Sequence, residues 1–206
     1  MKISYAITVC NEIEEIKRLI PFLLEHKREE DEIVVQQDIT ELNEEVYGYL
    51  FKQDIEKNLI FRTHHLQNDF AQFKNNLTQY CSGDYIFQID ADEIPNPYLI
   101  SYLHTIILMN NFDICLVPRI NTVEGITQKH ILKWGWRINE KGWVNYPDKQ
   151  WRLYRNTPEI KWDGKVHERL IGFQTYTSLP ELEEFSLYHP KTIERQEKQN
   201  ELYSKI

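Results

Sequence analysis

Apolar positions in the first half of the chain switch repeatedly between two periods. Ile3–Val9 is a short, partly β-branched apolar run, which predicts a buried strand. From Ile13 to His26 the residues Ile13, Ile16, Leu19, Ile20 and Leu23 recur at helical spacing, so an amphipathic helix is expected. Pro21 falls inside it and predicts a kink or two short helices, because the ring removes an N–H and crowds the preceding turn. Glu32–Gln36 predicts the next strand, and Asp38 with Glu41 reads as a capping box opening a helix to about Phe51. Asn58–Arg62 predicts a short strand. Asn68 or Asp69 can cap a helix that places Phe70, Phe73, Leu77 and Tyr80 on one face. Gly83 and Asp84 then turn the chain into a strand at Tyr85–Ile89. Asn96 followed by Pro97 signals a helix to about Met109, and Phe112–Val117 is strand-like again.

Strands alternating with helices predict an α/β fold: a Rossmann-like, mostly parallel sheet covered by helices on both faces. Such sheets bind ligands beyond the carboxyl ends of their strands. That rule selects Val9–Glu12, Gln36–Asp38 and Asp90–Glu93 before any motif is considered. The second half reads differently. Residues 119–150 carry no clean period and predict a long connection. Gln150–Tyr154 predicts a strand, Glu159–Ile171 a turn around Asp163–Gly164 with a short helix, and Phe185–Tyr188 a last strand. Ile193–Ile206 predicts a polar helical tail that stops without a cap, as a piece of a longer chain would. The expected organisation is one domain, with about 1–118 and about 119–190 as its halves and 191–206 as a tail or linker.

Composition narrows the function classes. The 206 residues are 41% hydrophobic and 27% charged, as in a globular chain with a sizeable core. A net charge of −8 disfavours general binding to nucleic acid but leaves room for a local basic pocket. Cys10, Cys81 and Cys115 are odd in number and widely spaced, which points away from zinc knuckles and disulfide frameworks and toward a reducing compartment. The N-terminal apolar run lacks a cleavage-type segment, and Tyr98–Met109 is too short to span a bilayer. A cytoplasmic or peripheral protein without a transmembrane segment is expected.

The sharpest local feature is QIDADEIP, residues 88–95, where an apolar strand ends in Asp90, Asp92 and Glu93. Asp90 and Asp92 share one side of an extended segment. Two adjacent carboxylates repel, and a divalent cation such as Mg2+ or Mn2+ relieves that repulsion through hard oxygen ligands. The competing reading is a solvated acidic turn ahead of a helix.

Taken in order, YAITVCNEIEEIKRLI, EDEIVVQQD, DFAQFKNNLTQYCSGDYIFQIDADE and QWRLYRNTPEIKWDGKVHERL resemble family-2 glycosyltransferases of the GT-A fold, over roughly residues 3–190. The resemblance implies a metal-dependent inverting transferase with a nucleotide-sugar half and a smaller acceptor-side segment. Its donor would be a nucleoside-diphosphate sugar, first a UDP-hexose or UDP-deoxyhexose, and its acceptor a glycan or other hydroxyl. Thr8, Asn11 and Glu12 fall where the family holds base and ribose, and Gln37 or Asp38 where it contacts uracil. Lys74 and Asn75 match a common Arg-Asn pair, with Lys offering a point charge in place of a bidentate fork. Asp90 and Asp92 match the Asp-x-Asp motif with Ala91 between them, Asp92 as the direct metal ligand and Asp90 on ribose or acting through water. His189 matches a third metal ligand, and Trp151 and Arg152 are placed near the donor sugar or diphosphate. Glu168 in VHERL is the expected general base, with Asp163 second and Asp148 third.

Each assignment has a plainer rival: a solvated helix lysine for Lys74, a structural histidine for His189, and a salt bridge to Arg169 or Arg152 for Glu168. Trp134, Trp136, Trp143, Trp151 and Trp162 suit sugar stacking, yet at least two are expected to plug the core. A nucleotidyltransferase is disfavoured because ITVCNEIEE contains no glycine for a phosphate loop. A non-catalytic nucleotide-sugar-binding module stays open, since fold does not fix function.

Overall fold

The computed structural model describes residues 1–203. It is an α/β fold built on one mixed sheet with helices packed against it. β1 (Ile3–Val9), β2 (Glu32–Asp38), β3 (Ile60–His64) and β4 (Tyr85–Asp90) pair in parallel in the order β3-β2-β1-β4. Their connections carry α1 (Ile13–His26), α2 (Glu44–Ile55) and α3 (Phe70–Thr78). After β4 come the two-residue β5 (Ile94–Pro95), α4 (Pro97–Asn110), β6 (Ile114–Glu124), α5 (Gln128–Trp134) and β7 (Val144–Arg155). The chain continues through β8 (Lys161–Asp163), β9 (Arg169–Ile171), β10 (Tyr176–Ser178), a 3-10 turn at Glu183–Phe185, β11 (Leu187–Thr192) and α6 (Ile193–Tyr203). β7 runs antiparallel between β4 and β6, while β11 runs parallel to β6 and takes β5 on its far side. No helix among the described residues is long and apolar enough to cross a membrane.

The central strands are buried on both faces, which is why Ile3–Val9 reads as an almost continuous apolar run. One core cluster joins Ile16, Leu19, Ile20 and Leu23 of α1 to Leu99, Leu103 and Ile107 of α4. The second gathers Val34, Ile86, Tyr154 and Trp162 beneath α3.

Several expectations are corrected. α1 is one helix through Pro21, whose exposed position lets water take the carbonyl that the ring leaves unpaired. α2 opens at Asn43, not Asp38: Asn43 accepts the Val46 N–H at 3.0 Å, whereas Asp38 ends β2 and accepts the Thr40 N–H at 2.9 Å and the Leu66 N–H at 3.1 Å. Of the two candidate caps for α3, Asp69 serves. β6 and β7 extend far into the segment expected as an irregular connection, and α5 lies between them. The chain turns at Asp163–Gly164 as expected, but residues 159–171 form the β8–β9 hairpin and no short helix, because the Asn75 side chain clamps the Trp162 backbone, donating to its carbonyl and accepting its N–H, both at 2.8 Å. The expected tail is helical to Tyr203; residues 204–206 lie outside the described part.

Candidate active site

Strand order puts a crevice at the carboxyl ends of β1 and β4, where the chain leaves β1 toward β2 and β4 toward β6 in opposite directions along the strand order. Register sets Thr8 beside Asp90, and the Thr8 hydroxyl donates to Asp90 Oδ1 at 3.2 Å. Beyond β4 the chain turns sharply. The Glu93 N–H donates to the Asp90 carbonyl at 2.9 Å, and the Glu93 carboxylate reaches back to accept the Asp90 N–H at 3.1 Å.

Arg152 enters this corner through a β-bulge. Cys115 pairs with Leu153 but Leu116 pairs with Trp151, so Arg152 is the extra residue on β7. Its Nη2 donates both to Asp90 Oδ2 and to Glu93 Oε1, the latter at 2.6 Å. Arg119 donates from Nη1 to the same Glu93 oxygen at 3.0 Å and from Nη2 to Asp148 at 2.7 Å. Glu93 is wholly buried, and Arg152 is 3% exposed with its Nε unpartnered among the described residues. Burial alone would raise the Asp90 carboxyl, but Arg152, then Lys74 and Arg119, outweigh it and hold Asp90 well below the usual carboxylate range. Arg152 moves upward: burial opposes its charge, and Asp90 and Glu93 more than compensate.

Lys74 links this corner to the β8–β9 hairpin. Its Nζ lies 2.7 Å from Glu168 Oε1, 3.5 Å from Asp90 Oδ1 and 4.7 Å from the centre of the Trp162 ring. Glu168 just precedes β9, in a hairpin held by backbone constraints at its base. Gly172 has φ +83°, and a Cβ there would meet the Glu159 carbonyl oxygen at 1.8 Å. The Phe70 N–H also donates to the Lys165 carbonyl at 3.0 Å, docking the hairpin tip on the start of α3.

Asp92 and His189 form the third corner, with Asp92 Oδ2 and His189 Nε2 3.2 Å apart. The Asn121 amide donates its N–H to Asp148 at 2.8 Å, which fixes its oxygen toward His189 Nδ1 at 2.6 Å. Nδ1 therefore carries a ring proton, and Nε2 meets the Asp92 carboxylate at hydrogen-bond distance. Burial holds His189 below its ordinary pKa, with Asp92 working the other way. Burial pushes Asp92 up, but the His189 hydrogen bond and charge, and then Lys191, bring it well below the carboxylate range. Once Nε2 gives up its proton, Nε2 and Asp92 Oδ2 at this spacing would offer two ligands to one divalent cation. The described residues contain no group of three or more His, Cys, Asp or Glu able to hold a metal. Asp90, expected as a further ligand, has its oxygens engaged by Arg152 and Lys74. Arg195 of α6 reaches the same corner, 3.4 Å from Asp92 Oδ2 and 3.2 Å from Glu12 Oε1.

All three corners open on one cleft of about 500 Å³. Of the expected donor-site residues, Thr8, Glu12, Asp38, Lys74, Asp90, Ala91 and Arg152 line it; so do Asp92, His189 and Glu168. Others do not. Asn11 is exposed, with its N–H donating to Glu12 at 3.0 Å. Gln37 is buried and donates to the Asn43 carbonyl at 2.9 Å. Asn75 is spent on the Trp162 clamp, and Trp151 packs against Phe173. Asp163 is exposed on β8, outside the cleft lining, and Asp148 is tied to Arg119, Asn121 and Gln150. Lys74 is 4% exposed, so it is not a solvated helix lysine, and the partner of Glu168 is Lys74 rather than Arg169 or Arg152. Glu93 lay in the expected site segment but was given no role, and Arg119 was not expected. An arginine inside the apolar run ICLVPRI was the one signal available for Arg119.

The sequence profile of the family described as glycosyl transferase family 2 matches residues 4–176. No curated protein matches the chain. Among solved structures, S. aureus TarS 1–349 superposes with a TM-score of 0.63 at 15% identity, over 92% of this chain and 60% of that one. The same segment in complex with UDP gives the same values. Its complex with UDP-GlcNAc superposes with a TM-score of 0.61 at 15% identity, over 93% of this chain and 59% of that one. The likeness is one of fold, and the chain spans about 60% of the length of that TarS segment.

Proposed function

The chain belongs to glycosyl transferase family 2, and from this we propose that it moves a hexosyl or deoxyhexosyl unit from a nucleoside-diphosphate sugar to an acceptor hydroxyl in glycan synthesis. The observation that carries the reading is the meeting, in one cleft, of two cations, two strand-end carboxylates and a separate carboxylate on the acceptor-side hairpin. UDP is the first choice of nucleotide. Asp38 lines the cleft at the end of β2, where it can accept from a base imide N–H, and the similar fold of TarS is known in complex with UDP.

The transfer is a single displacement. Glu168 takes the proton of the acceptor hydroxyl, and the freed oxygen attacks the anomeric carbon from the face opposite the diphosphate. The glycosidic C–O bond breaks with its electron pair going to the diphosphate oxygen, so the anomeric configuration inverts. Arg152 and Lys74 stand ready to offset the growing negative charge. Asp92 and His189 would hold Mn2+ or Mg2+, with Asp90 kept beside them by Arg152 and Lys74. Bound there, such an ion supplies Lewis-acid stabilisation of the leaving diphosphate.

The test is a panel of UDP-, GDP- and dTDP-sugars incubated with the protein and Mn2+ or Mg2+, reading release of free nucleoside diphosphate. Turnover of at least one donor is expected. No release from any donor, together with no calorimetric binding of UDP, would refute the reading.

A further inference from the structure

The five tryptophans divide into two groups. Trp162 is 3% exposed within the second core cluster, and Trp151 packs against that cluster. Trp134, Trp136 and Trp143 belong to neither core cluster among the described residues and remain only half-buried. Trp136 lines the cleft, on the wall built by the β6–β7 connection. Behind it, the Trp134 ring centre lies 4.7 Å away, and Trp134 itself stacks on His130 at 5.3 Å with planes 16° apart.

This group is held in place by backbone geometry. Gly135, at φ +64°, ends α5 in the left-handed region and reverses the chain. The Trp136 N–H donates to the Ile131 carbonyl at 3.1 Å. On the other side, the Arg137 N–H donates to the Asn145 side chain at 2.9 Å, and the Asn145 N–H donates to the Arg137 carbonyl at 2.8 Å. The backbone at Trp136 is thus fixed at the cleft wall on both sides. Asn145 and Gln150 line the cleft with it and bring amide groups to the same wall.

A large aromatic surface left half in water, beside amides and in the cavity that holds Glu168, matches a ligand with an apolar face and a hydroxylated rim. A pyranose ring has that form. We propose that Trp136, backed by Trp134, is the stacking platform of the acceptor subsite and that the acceptor presents a pyranose ring to it, so the acceptor is a carbohydrate. This rests on the glycosyltransferase reading.

The test measures binding of cellotriose, maltotriose and chitotriose by isothermal titration calorimetry, with and without UDP. Wild type is compared with Trp136→Ala and Trp136→Phe, each checked for an unchanged melting temperature. At least one trisaccharide is expected to bind the wild type, with Trp136→Ala weakening it about tenfold or more, as loss of one aromatic anchor does. Trp136→Phe should stay within about threefold, since it keeps an aromatic face, and UDP affinity should be the same in all three proteins. No binding of any trisaccharide to wild type, or equal binding by Trp136→Ala, overturns the platform. Equal loss of trisaccharide and UDP in Trp136→Ala also overturns it, as that marks a structural role. A wild type that binds a trisaccharide through Trp136 but neither binds UDP nor releases it from a UDP-sugar refutes the donor reading and upholds the platform.

Discussion

Replacing Glu93 with glutamine tests whether the buried charge network beneath the cleft holds the fold together. Glutamine keeps the size of the side chain and removes its charge. Glu93 Oε1 accepts from Arg119 at 3.0 Å and from Arg152 at 2.6 Å, and the side chain has no exposure to water. Arg152 is left with Asp90 as its one carboxylate and Arg119 with Asp148. Removing one partner from a buried pair costs about 3–5 kcal/mol, and because each arginine keeps one carboxylate the lower end, about 3 kcal/mol, applies here. That is a large part of the roughly 5–15 kcal/mol that holds a domain folded. Urea unfolding should therefore show a lower midpoint for Glu93→Gln at an unchanged slope. Arg119 exchanges both Glu93 and Asp148, so Glu93→Gln combined with Arg119→Gln should be less destabilised than the sum of the single changes by about 1 kcal/mol or more. A single-variant loss under about 1 kcal/mol, or strict additivity in the double variant, would refute the claim that these charges compensate one another.

Glu168→Gln is expected to lower kcat about 10²–10⁴-fold with donor affinity retained, as for loss of a general base; steady-state turnover near wild type would reject Glu168 in that role. Asp92→Asn should abolish the tightening of UDP binding by Mn2+ while the melting temperature without metal stays close to wild type; calorimetry with and without Mn2+ decides it. Glu32 carries a pH prediction: burial pushes its carboxyl up, but Lys2, Ser4 and Ser82, bonded at 2.6–2.8 Å, outweigh that and hold it below its ordinary 4.5. A depressed folded pKa means its stabilisation is complete above the unfolded value and fades as pH falls through the folded one. The melting-temperature deficit of Glu32→Gln should accordingly be full near about pH 7 and shrink toward about pH 3; a deficit independent of pH would contradict the assignment.

Periodicity exposed the first half of the chain well, because burial against a sheet leaves a local record. The apolar run Ile3–Val9 and the helical spacing in Ile13–His26 mark faces set by neighbours a few residues away. The pair Asp90 and Asp92 was legible for the same reason, as a polar tip on an apolar strand. Residues 159–171 were not. Their hairpin depends on a clamp from Asn75 and a close approach at Gly172, neither of which has a periodic signature. Arg152 was recognisable as a candidate, but its aim was not, since a one-residue bulge on β7 sets it.

The order of residues alone established alternating strands and helices, and a carboxylate-tipped strand end in the position where such sheets bind ligands. Tertiary structure alone decided which charges meet there. Lys74 and Glu168 are 94 residues apart, and Arg152 reaches Asp90 across 62. Strand order, register and one bulge bring these groups within a few ångströms. Burial then makes the pairing obligatory, because an ion removed from water must find an opposite charge or lose its own.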